Sequence, residues 1–138
     1  MPSPEPDSRD ASIDWIRLIA AAADLCRKPL RHGVVVVSQD CDADSCWHPR
    51  VGELTLRLEA RDGEGQRCPE EDLELEVYPS GSDLNLTLAW CLDGRRPILW
   101  QGSHPVWLCS DSGVRCERPA DAEPLEAFTR RLRALLVG

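Results

Sequence analysis

Large apolar residues alternate with polar or small ones along the middle of the chain. Every second residue from Leu84 to Leu92 is large and apolar, and the same alternation runs through residues 52–60 and 72–78. A period of two is typical of strands that bury one face. Short turns rich in glycine and proline separate these segments, so the pattern predicts neighbouring strands that run antiparallel.

The central stretch, 84–109, contains three of the five tryptophans and should contribute most to the core. Its hairpin allows two registers. With a three-residue loop at 93–95, Ile98 and Trp100 fall on the leucine face of the preceding strand. With a two-residue turn they fall on the opposite face, and both faces of the sheet must then be covered. Burial favours the three-residue loop, so we expect Leu88 opposite Trp100.

Two other segments predict strands at particular places in the sheet. The four consecutive valines at 34–37 favour a strand over a helix. Because no polar residue alternates with them, both faces of this strand should be covered, and we expect it at the centre of the sheet rather than at an edge. Residues 114–117 predict a short edge strand, which Pro119 ends.

Apolar residues at helical spacing predict a helix near each end of the chain. The first helix follows a cap at Ser12 and stops at Pro29, and the last begins near Asp121. The packing face of the first helix comprises Ile13, Ile16, Ile19, Ala20, Ala23 and Cys26, broadened by Trp15, Leu18 and Leu25. The last helix presents Leu125, Phe128, Leu132, Leu135 and Leu136, with Glu126 and Arg130 as an exposed pair. We expect the alanine-rich first helix to pack within the monomer; a seam between two copies is the alternative.

These elements predict an α+β fold: a single antiparallel sheet of five to six strands in a meander, flanked by an N-terminal and a C-terminal helix. We expect one domain over residues 11–138, preceded by a disordered leader, 1–10, that is rich in proline and acidic residues. The size, acidity and element order are similar to those of small acidic secretion chaperones and of other dimeric two-layer modules. This resemblance concerns the fold and rests on no shared motif.

The net charge of the chain bears on which classes of partner it can bind. The 138 residues carry a net charge of −8. Such a field repels phosphate backbones, so we expect no nucleic-acid partner. We expect no membrane contact either, because Asp14, Arg17 and Asp24 interrupt the longest apolar run near the start. The leading segment lacks the positive cluster of a secretory signal, which predicts a cytoplasmic protein.

A polar loop after the valine strand holds the densest group of metal-ligating residue types. Its aspartates imitate the start of a calcium loop, but the glycine and the glutamate that such a loop requires are missing. Cys41, Cys46 and His48, with Cys68 as a fourth ligand, could form a zinc site. Since no two-residue cysteine pair supports this spacing, we expect an acidic surface loop without a metal, and no cofactor.

Cysteine and histidine chemistry gives no firm catalytic prediction. Seven cysteines is a high and odd count for a reducing compartment, where structural disulfides are rare. Cys41 with Cys46, or Cys109 with Cys116, could form a redox pair. The sequence has no serine elbow, phosphate-binding loop, dinucleotide fingerprint or paired metal histidines. We therefore name no catalytic residue and expect a protein that is not an enzyme.

Tryptophans and arginines supply the candidate binding residues. The predicted groove for a ligand or partner is lined by Trp47, Trp100, His104, Trp107, Arg95 and Arg96. The favoured hypothesis is a small non-enzymatic binding or assembly module that acts through its sheet face or this groove. Its partner would be another protein or a second copy of the chain. The alternatives are a small-ligand-binding protein or enzyme with a pocket between sheet and helices, and a thiol-redox or zinc-binding protein.

Overall fold

The computed structural model describes residues 8–39, 47, 49 and 52–137, without the side chains of 8–14. The helices are α1 (Ser8–Cys26) and α2 (Glu123–Val137). Between them lie β1 (Arg31–Gln39), β2 (Leu54–Arg61), β3 (Leu73–Ser80), β4 (Asp83–Trp90), β5 (Ile98–Gln101) and β6 (Pro105–Leu108). Each strand pairs antiparallel with the next, in the order β1-β2-β3-β4-β5-β6. The predicted α+β meander between two helices is confirmed. Neither described helix is both long and apolar enough to cross a membrane.

One side of the sheet packs against both helices and forms the core. The alternating apolar residues of β2, β3 and β4 are buried on this helix side, as predicted: Leu54, Leu56, Leu58, Ala60, Leu73, Leu75, Val77, Leu84, Leu86, Leu88 and Trp90. The helices bury Ile19, Ala22, Ala23, Leu125, Phe128, Leu132 and Leu136 against them. Each large aliphatic side chain removed from water contributes about 1.5–3 kcal/mol. This layer therefore fixes which side of the sheet the helices cover.

The β4–β5 hairpin adopts the register that we did not expect. Leu88 pairs with Leu99, which places Trp100 on the side of the sheet away from the helices. The predicted pairing of Leu88 with Trp100 is wrong. The helix side is already occupied, because Trp107 of β6 stacks on Trp90 with ring centroids 6.4 Å apart and Leu99 is fully buried beside them.

Strand β1 lies at an edge of the sheet, whereas its valines predicted a central position. That prediction is wrong: among the described strands β1 pairs only with β2, and Val35, Val36 and Val37 are 47%, 38% and 58% exposed. A meander in which every strand pairs with the next leaves its first strand at an edge, whatever that strand's composition. A bulge between Val36 and Ser38 ends the regular part of the pairing.

Helix α1 differs from the predictions in its start and in its packing face. Helix α1 begins at Ser8, inside the segment predicted as a leader. Leu18 and Leu25, assigned to its packing face, are 42% and 47% exposed. Other apolar positions of α1 already fill the space above the sheet, so these two leucines form part of an outer surface.

The C-terminal part of the chain also departs from two expectations. Residues 114–117 form a single isolated bridge, between Leu108 and Arg115, rather than a strand. Glu126 is buried instead of forming an exposed pair with Arg130. Its carboxylate accepts hydrogen bonds from Arg118 Nε at 2.5 Å and from Trp107 Nε1 at 3.3 Å. Glu126 therefore joins α2 to the sheet.

Candidate functional site

The observed hairpin register was expected to require cover on both sides of the sheet. The described residues nevertheless leave the side away from the helices open, and we call it the open face. On β4–β6 and the adjoining end of β3 it carries a group that we call the apolar patch: Tyr78, Thr87, Ala89, Ile98, Trp100, Val106 and Leu108. All of these side chains are partly exposed. The register gathers them, because Thr87 lies opposite Trp100, Trp100 opposite Val106, and Ile98 opposite Leu108. The patch is thus one continuous surface across neighbouring strands.

Trp100 is held in one orientation within the apolar patch. Its indole Nε1 donates a hydrogen bond to the Tyr78 hydroxyl at 3.0 Å, and the Thr87 hydroxyl donates to the same oxygen at 3.4 Å. The ring lies over Gly102, where a Cβ atom would overlap it. The side chain nevertheless remains partly exposed. A fixed, partly exposed tryptophan is typical of an interface anchor, because little rotamer entropy is lost when a partner covers it.

The remainder of the open face is charged and balanced in sign. On β1–β3 it carries three arginines and three glutamates: Arg31, Arg57, Arg61, Glu59, Glu74 and Glu76. Glu74 and Glu76 border the apolar patch, since they pair with Ala89 and Thr87. Neither glutamate forms a salt bridge with another described residue. The border of the patch is therefore acidic and open to a basic partner.

A buried carboxylate organises the charged part of the open face. Asp72 is fully buried and accepts hydrogen bonds from both terminal nitrogens of Arg67 at 2.9 and 2.6 Å. It also accepts from the Ala60 backbone N–H at 2.7 Å and from Arg57 at 3.3 Å. Burial alone would raise the pKa of Asp72, but these donors lower it to about 2. The ionised carboxylate ties the turn that carries Arg67 to β2 and β3, which is a structural role.

A second buried network joins the end of α1 to β1. The His32 side chain is 0% exposed; its Nδ1 donates to Asp24 at 2.9 Å and its Nε2 accepts from Arg27 at 2.9 Å. Arg27 also donates to the Glu71 carboxylate at 2.8 Å. Burial lowers the pKa of His32, the hydrogen bond to Asp24 opposes this, and the charge of Arg27 lowers it further. Because Arg27 already occupies Nε2, the imidazole has no free nitrogen with which to accept a proton from a substrate.

Two tryptophans predicted to line a groove are buried in separate parts of the core. Trp47 packs edge-on against Trp15, with ring centroids 6.0 Å apart, and donates from Nε1 to the Gly52 carbonyl at 3.0 Å. Trp107 is buried on the helix side, where its Nε1 lies 3.3 Å from the Glu126 carboxylate. Both indoles thus have partners inside the protein.

The remaining predicted groove residues are also dispersed. Arg96 lies with its guanidinium carbon 3.7 Å from the centre of the Trp90 ring and pairs with Asp121. Arg95 and His104 are exposed in two different turns. The structure therefore brings Trp107 and Arg96 together around Trp90, on the helix side. Trp100 alone of the predicted set belongs to the open face.

The candidate metal ligands Cys41, Cys46 and His48 lie outside the described residues. Cys68 is described, and its Sγ donates to the Gln66 carbonyl at 3.7 Å. Among the residues the structure describes, no group of three His, Cys, Asp or Glu side chains is arranged to hold a metal ion. The expectation of a metal-free loop stays a prediction.

Cys109 and Cys116 lie side by side across the last turn. The Cys109 N–H donates to the Val114 carbonyl and the Cys116 N–H donates to the Trp107 carbonyl, both at 2.8 Å. This pairing sets the two thiols on the same side of the ribbon. Burial, followed by a hydrogen bond between the two thiols, raises the pKa of Cys116. A raised pKa lowers the thiolate fraction, so the structure brings this predicted pair together without activating it.

Buried apolar side chains of the described residues pack between the sheet and the two helices. A hollow of about 410 Å³ lies at one end of the molecule, between the last turn of α2 and the β3–β4 turn. Among the residues that the structure describes, its lining includes Leu84, Arg133 and Leu136 but no histidine or cysteine.

Comparison with known proteins assigns the chain to a family. Residues 16–135 match the model of a family described as a domain of unknown function (DUF8659). The chain belongs to this family. No curated protein and no solved structure matches it. The DUF8659 domain extends from α1 into α2 and includes the whole sheet, so the open face is part of the domain itself.

Sequence reasoning missed three important residues of this DUF8659 domain. Tyr78 ends an alternating strand, and its contact with Trp100 depends on a register that the pattern did not predict. Asp72 directly precedes the first inward leucine of β3 and follows Arg67 closely, which was the available signal for a buried ion pair. His32 directly precedes the valine run, and a histidine at the start of an apolar strand was the corresponding signal there.

Proposed function

We propose that this DUF8659 domain is a non-enzymatic binding module whose binding surface is the apolar patch of the open face. The proposal rests on one observation: Trp100 is held by Tyr78 and Gly102 while its ring stays partly exposed among apolar neighbours. Covering this ring would gain apolar burial at low entropic cost. A rigid tryptophan surrounded by smaller apolar side chains has the composition of an interface hot spot.

The partner that fits this surface is a protein with an apolar face bordered by basic side chains. The patch supplies apolar contact area, and Glu74 and Glu76 along its border have no salt-bridge partner among the described residues. The net charge of −8 would attract a basic surface over distance and raise the association rate. The same field would repel a nucleic acid, which supports a protein partner.

A reducing compartment such as the cytoplasm suits this function. The described cysteines, Cys26, Cys68, Cys91, Cys109 and Cys116, are free thiols. Burial raises the pKa of Cys26 and of Cys91, which keeps both thiols protonated and unreactive. Free thiols of this kind are ordinary in reducing compartments, whereas small secreted domains commonly rely on disulfides.

The first test measures partner binding by variants of the apolar patch. A protein retained from an extract of the source cell by the immobilised wild-type domain is identified, purified and titrated by calorimetry. We expect Trp100→Ala to raise its Kd about 30-fold or more, as for a central aromatic anchor. Gly102→Ala keeps the indole but displaces the ring, and should weaken binding in the same direction. Leu92→Ala, at a residue 63% exposed outside the patch, is the matched control and should bind like the wild type.

The second test addresses the charge of the partner. The double variant Glu74→Lys/Glu76→Lys should weaken binding and reduce its sensitivity to salt, because it reverses the acidic border. The variant Glu64→Lys/Glu70→Lys makes the same charge change at exposed positions away from the patch and should have a smaller effect. The proposal would be contradicted if folded Trp100→Ala protein bound the partner as tightly as the wild type. It would also be contradicted if Leu92→Ala lost as much affinity as Trp100→Ala.

A further inference from the structure

We infer that strand β1 and an outer stripe of α1 form the interface of a homodimer, in which two copies join their sheets through antiparallel pairing of β1 with β1. The outer stripe consists of Leu18, Ala21 and Leu25, which are all exposed. This interface lies at the opposite edge of the sheet from the apolar patch. It does not depend on the function proposed above.

Among the described strands, β1 is a long edge strand without the features that usually protect an edge. It is nine residues long, about 30 Å at the usual rise, and contains no proline, lysine or acidic residue. The opposite edge is protected, because β6 has four residues, begins with Pro105 and is followed by the bridge from Leu108 to Arg115. Long apolar edges offer free backbone N–H and C=O groups to another chain, and soluble monomers usually blunt them. The contrast between the two edges points to β1 as the one that pairs.

The side chains along this edge are apolar on both sides of the sheet. Val35 is exposed on the open face and Val36 on the helix side. On the helix side, Ala21 and Leu25 of the outer stripe line a hollow of about 590 Å³ together with Arg31, the first residue of β1. The outer stripe therefore adjoins the edge strand. A chain that pairs with β1 would also cover these helix positions.

The position of the exposed charge in β1 favours antiparallel over parallel pairing with a second copy. From Gly33 to Gln39 the strand carries no charge, and its exposed charge, Arg31, lies at the beginning, opposite Arg61 of β2. Antiparallel self-pairing keeps the arginines of the two copies at opposite ends of the joint, whereas parallel pairing would bring them together. It also satisfies two-fold symmetry, so every contact is made twice.

Two-fold symmetry places the helices of both copies on the same side of the joined sheet. Side chains alternate along a strand, so a two-fold axis at Val34 or at Val35 pairs that residue with its own counterpart and keeps all four helices on one side of the joined sheet. The outer stripes of the two α1 helices then face each other across the axis. Antiparallel pairing of the same edge of two copies requires a two-fold axis perpendicular to the sheet, so a change of register moves the two stripes along each other but cannot put the helix layers on opposite sides. Burial of the leucines favours the register in which the two stripes overlap most.

The main experiment is sedimentation equilibrium on the full chain. We expect the wild type to have twice the mass of one chain at about 100 µM. The variant Val35→Lys/Val37→Lys should raise the dimer Kd about 100-fold or more, because it places charges within the joint. Both valines are exposed in the monomer, so circular dichroism should show an unchanged fold. Val114→Lys, at a valine that is 62% exposed elsewhere, is the matched control and should remain dimeric.

Hydrogen exchange locates the contact without any substitution. Amides of β1 should exchange more slowly in the dimer than after dilution to the monomer, while those of β6 should not change. Three results would overturn the inference: a wild type that stays monomeric at about 100 µM, a dimer that survives in the double-lysine variant, or β1 amides that are indifferent to concentration. Trp100→Ala leaves β1 intact and should dimerise normally, so failure here and failure of the proposed function are distinguishable.

Discussion

Asp72 shows which contacts allow a charge to be buried in this fold. Its carboxylate is removed from water, but Arg67 donates from two nitrogens and the Ala60 N–H supplies a further donor. We predict that Asp72→Asn lowers the free energy of unfolding by about 2–3 kcal/mol, below the largest losses for broken buried pairs because Arg67 keeps contact with water. Urea denaturation measures this loss. Asp111→Asn, in an exposed turn, should stay within about 0.5 kcal/mol of the wild type.

Acid denaturation measures the same contacts independently. The pKa of Asp72 is about 2 in the fold and 3.8 as an ordinary carboxyl. Because the folded value is the lower one, the stabilisation is fully present above pH 3.8 and is lost as the pH falls towards 2. The difference corresponds to about 2 kcal/mol, so the asparagine variant should lose that much less stability over this range. If the wild type and Asp72→Asn lose the same stability between pH 3.8 and pH 2, Asp72 is not the group responsible.

At the level of elements, His32 docks α1 against β1 and the segment that carries Glu71. Burial holds the pKa of His32 below 6.5, so the folded protein keeps the neutral imidazole. The unfolded chain takes up the proton more readily, and the stabilisation present above pH 6.5 is therefore lost as the pH falls below it. Protonation in the fold would also set an N–H group against Arg27. We predict that the wild type loses stability between about pH 7 and pH 5.

Two histidine variants check this prediction by urea denaturation at each pH. His32→Gln should start from a lower stability, because a flexible amide replaces the ring that Asp24 and Arg27 hold from both sides, but should show a flatter profile over the same range. His104→Gln changes an exposed residue and should keep the profile of the wild type. A slope in His32→Gln equal to that of the wild type would assign the acid sensitivity to another group.

The alternation of residues predicted the existence and inward faces of β2, β3 and β4, because each of these strands buries one side against helices. The residues of a strand do not by themselves determine its position within the sheet. The valines of β1 predicted a central strand, whereas the order of the meander places β1 at an edge. The prediction of the β4–β5 hairpin register was wrong for a similar reason. It depends on Trp107, which reaches Trp90 from a strand that follows later in the chain.

The residues of the candidate surface could be predicted from the sequence only in part. The sequence assigned Trp100 to a groove with Trp47 and Trp107, and named the sheet face as the other candidate binding surface. Trp47 and Trp107 carried similar local signals, yet their indoles are buried by Trp15 and Glu126, which are distant in sequence. Pairwise contacts of this kind follow from the packing of whole elements and leave no local pattern in the sequence.

Across the whole molecule, the negative charge is distributed unevenly. The chain carries −8, yet the open face of β1–β3 has equal numbers of arginines and glutamates. The acidic excess therefore lies on other surfaces, and strand β1 itself contains no acidic residue. Two copies can thus approach along β1 in spite of their like net charge, because salt screens the repulsion between acidic side chains that lie farther from the contact.

The dimer interface and the apolar patch should act independently, because they lie at opposite edges of the sheet. Strands β2, β3 and β4 separate β1 from β5, a distance of about 20 Å at the usual strand spacing. Effects at sites this far apart usually add within about 0.5 kcal/mol. We predict that Val35→Lys/Val37→Lys binds the partner with the wild-type affinity per chain and that Trp100→Ala dimerises with the wild-type Kd. The triple variant should show both losses and nothing more, by calorimetry and sedimentation. A larger coupling would mean that joining two twisted sheets reshapes the open face, since twist is transmitted through every strand of a continuous sheet.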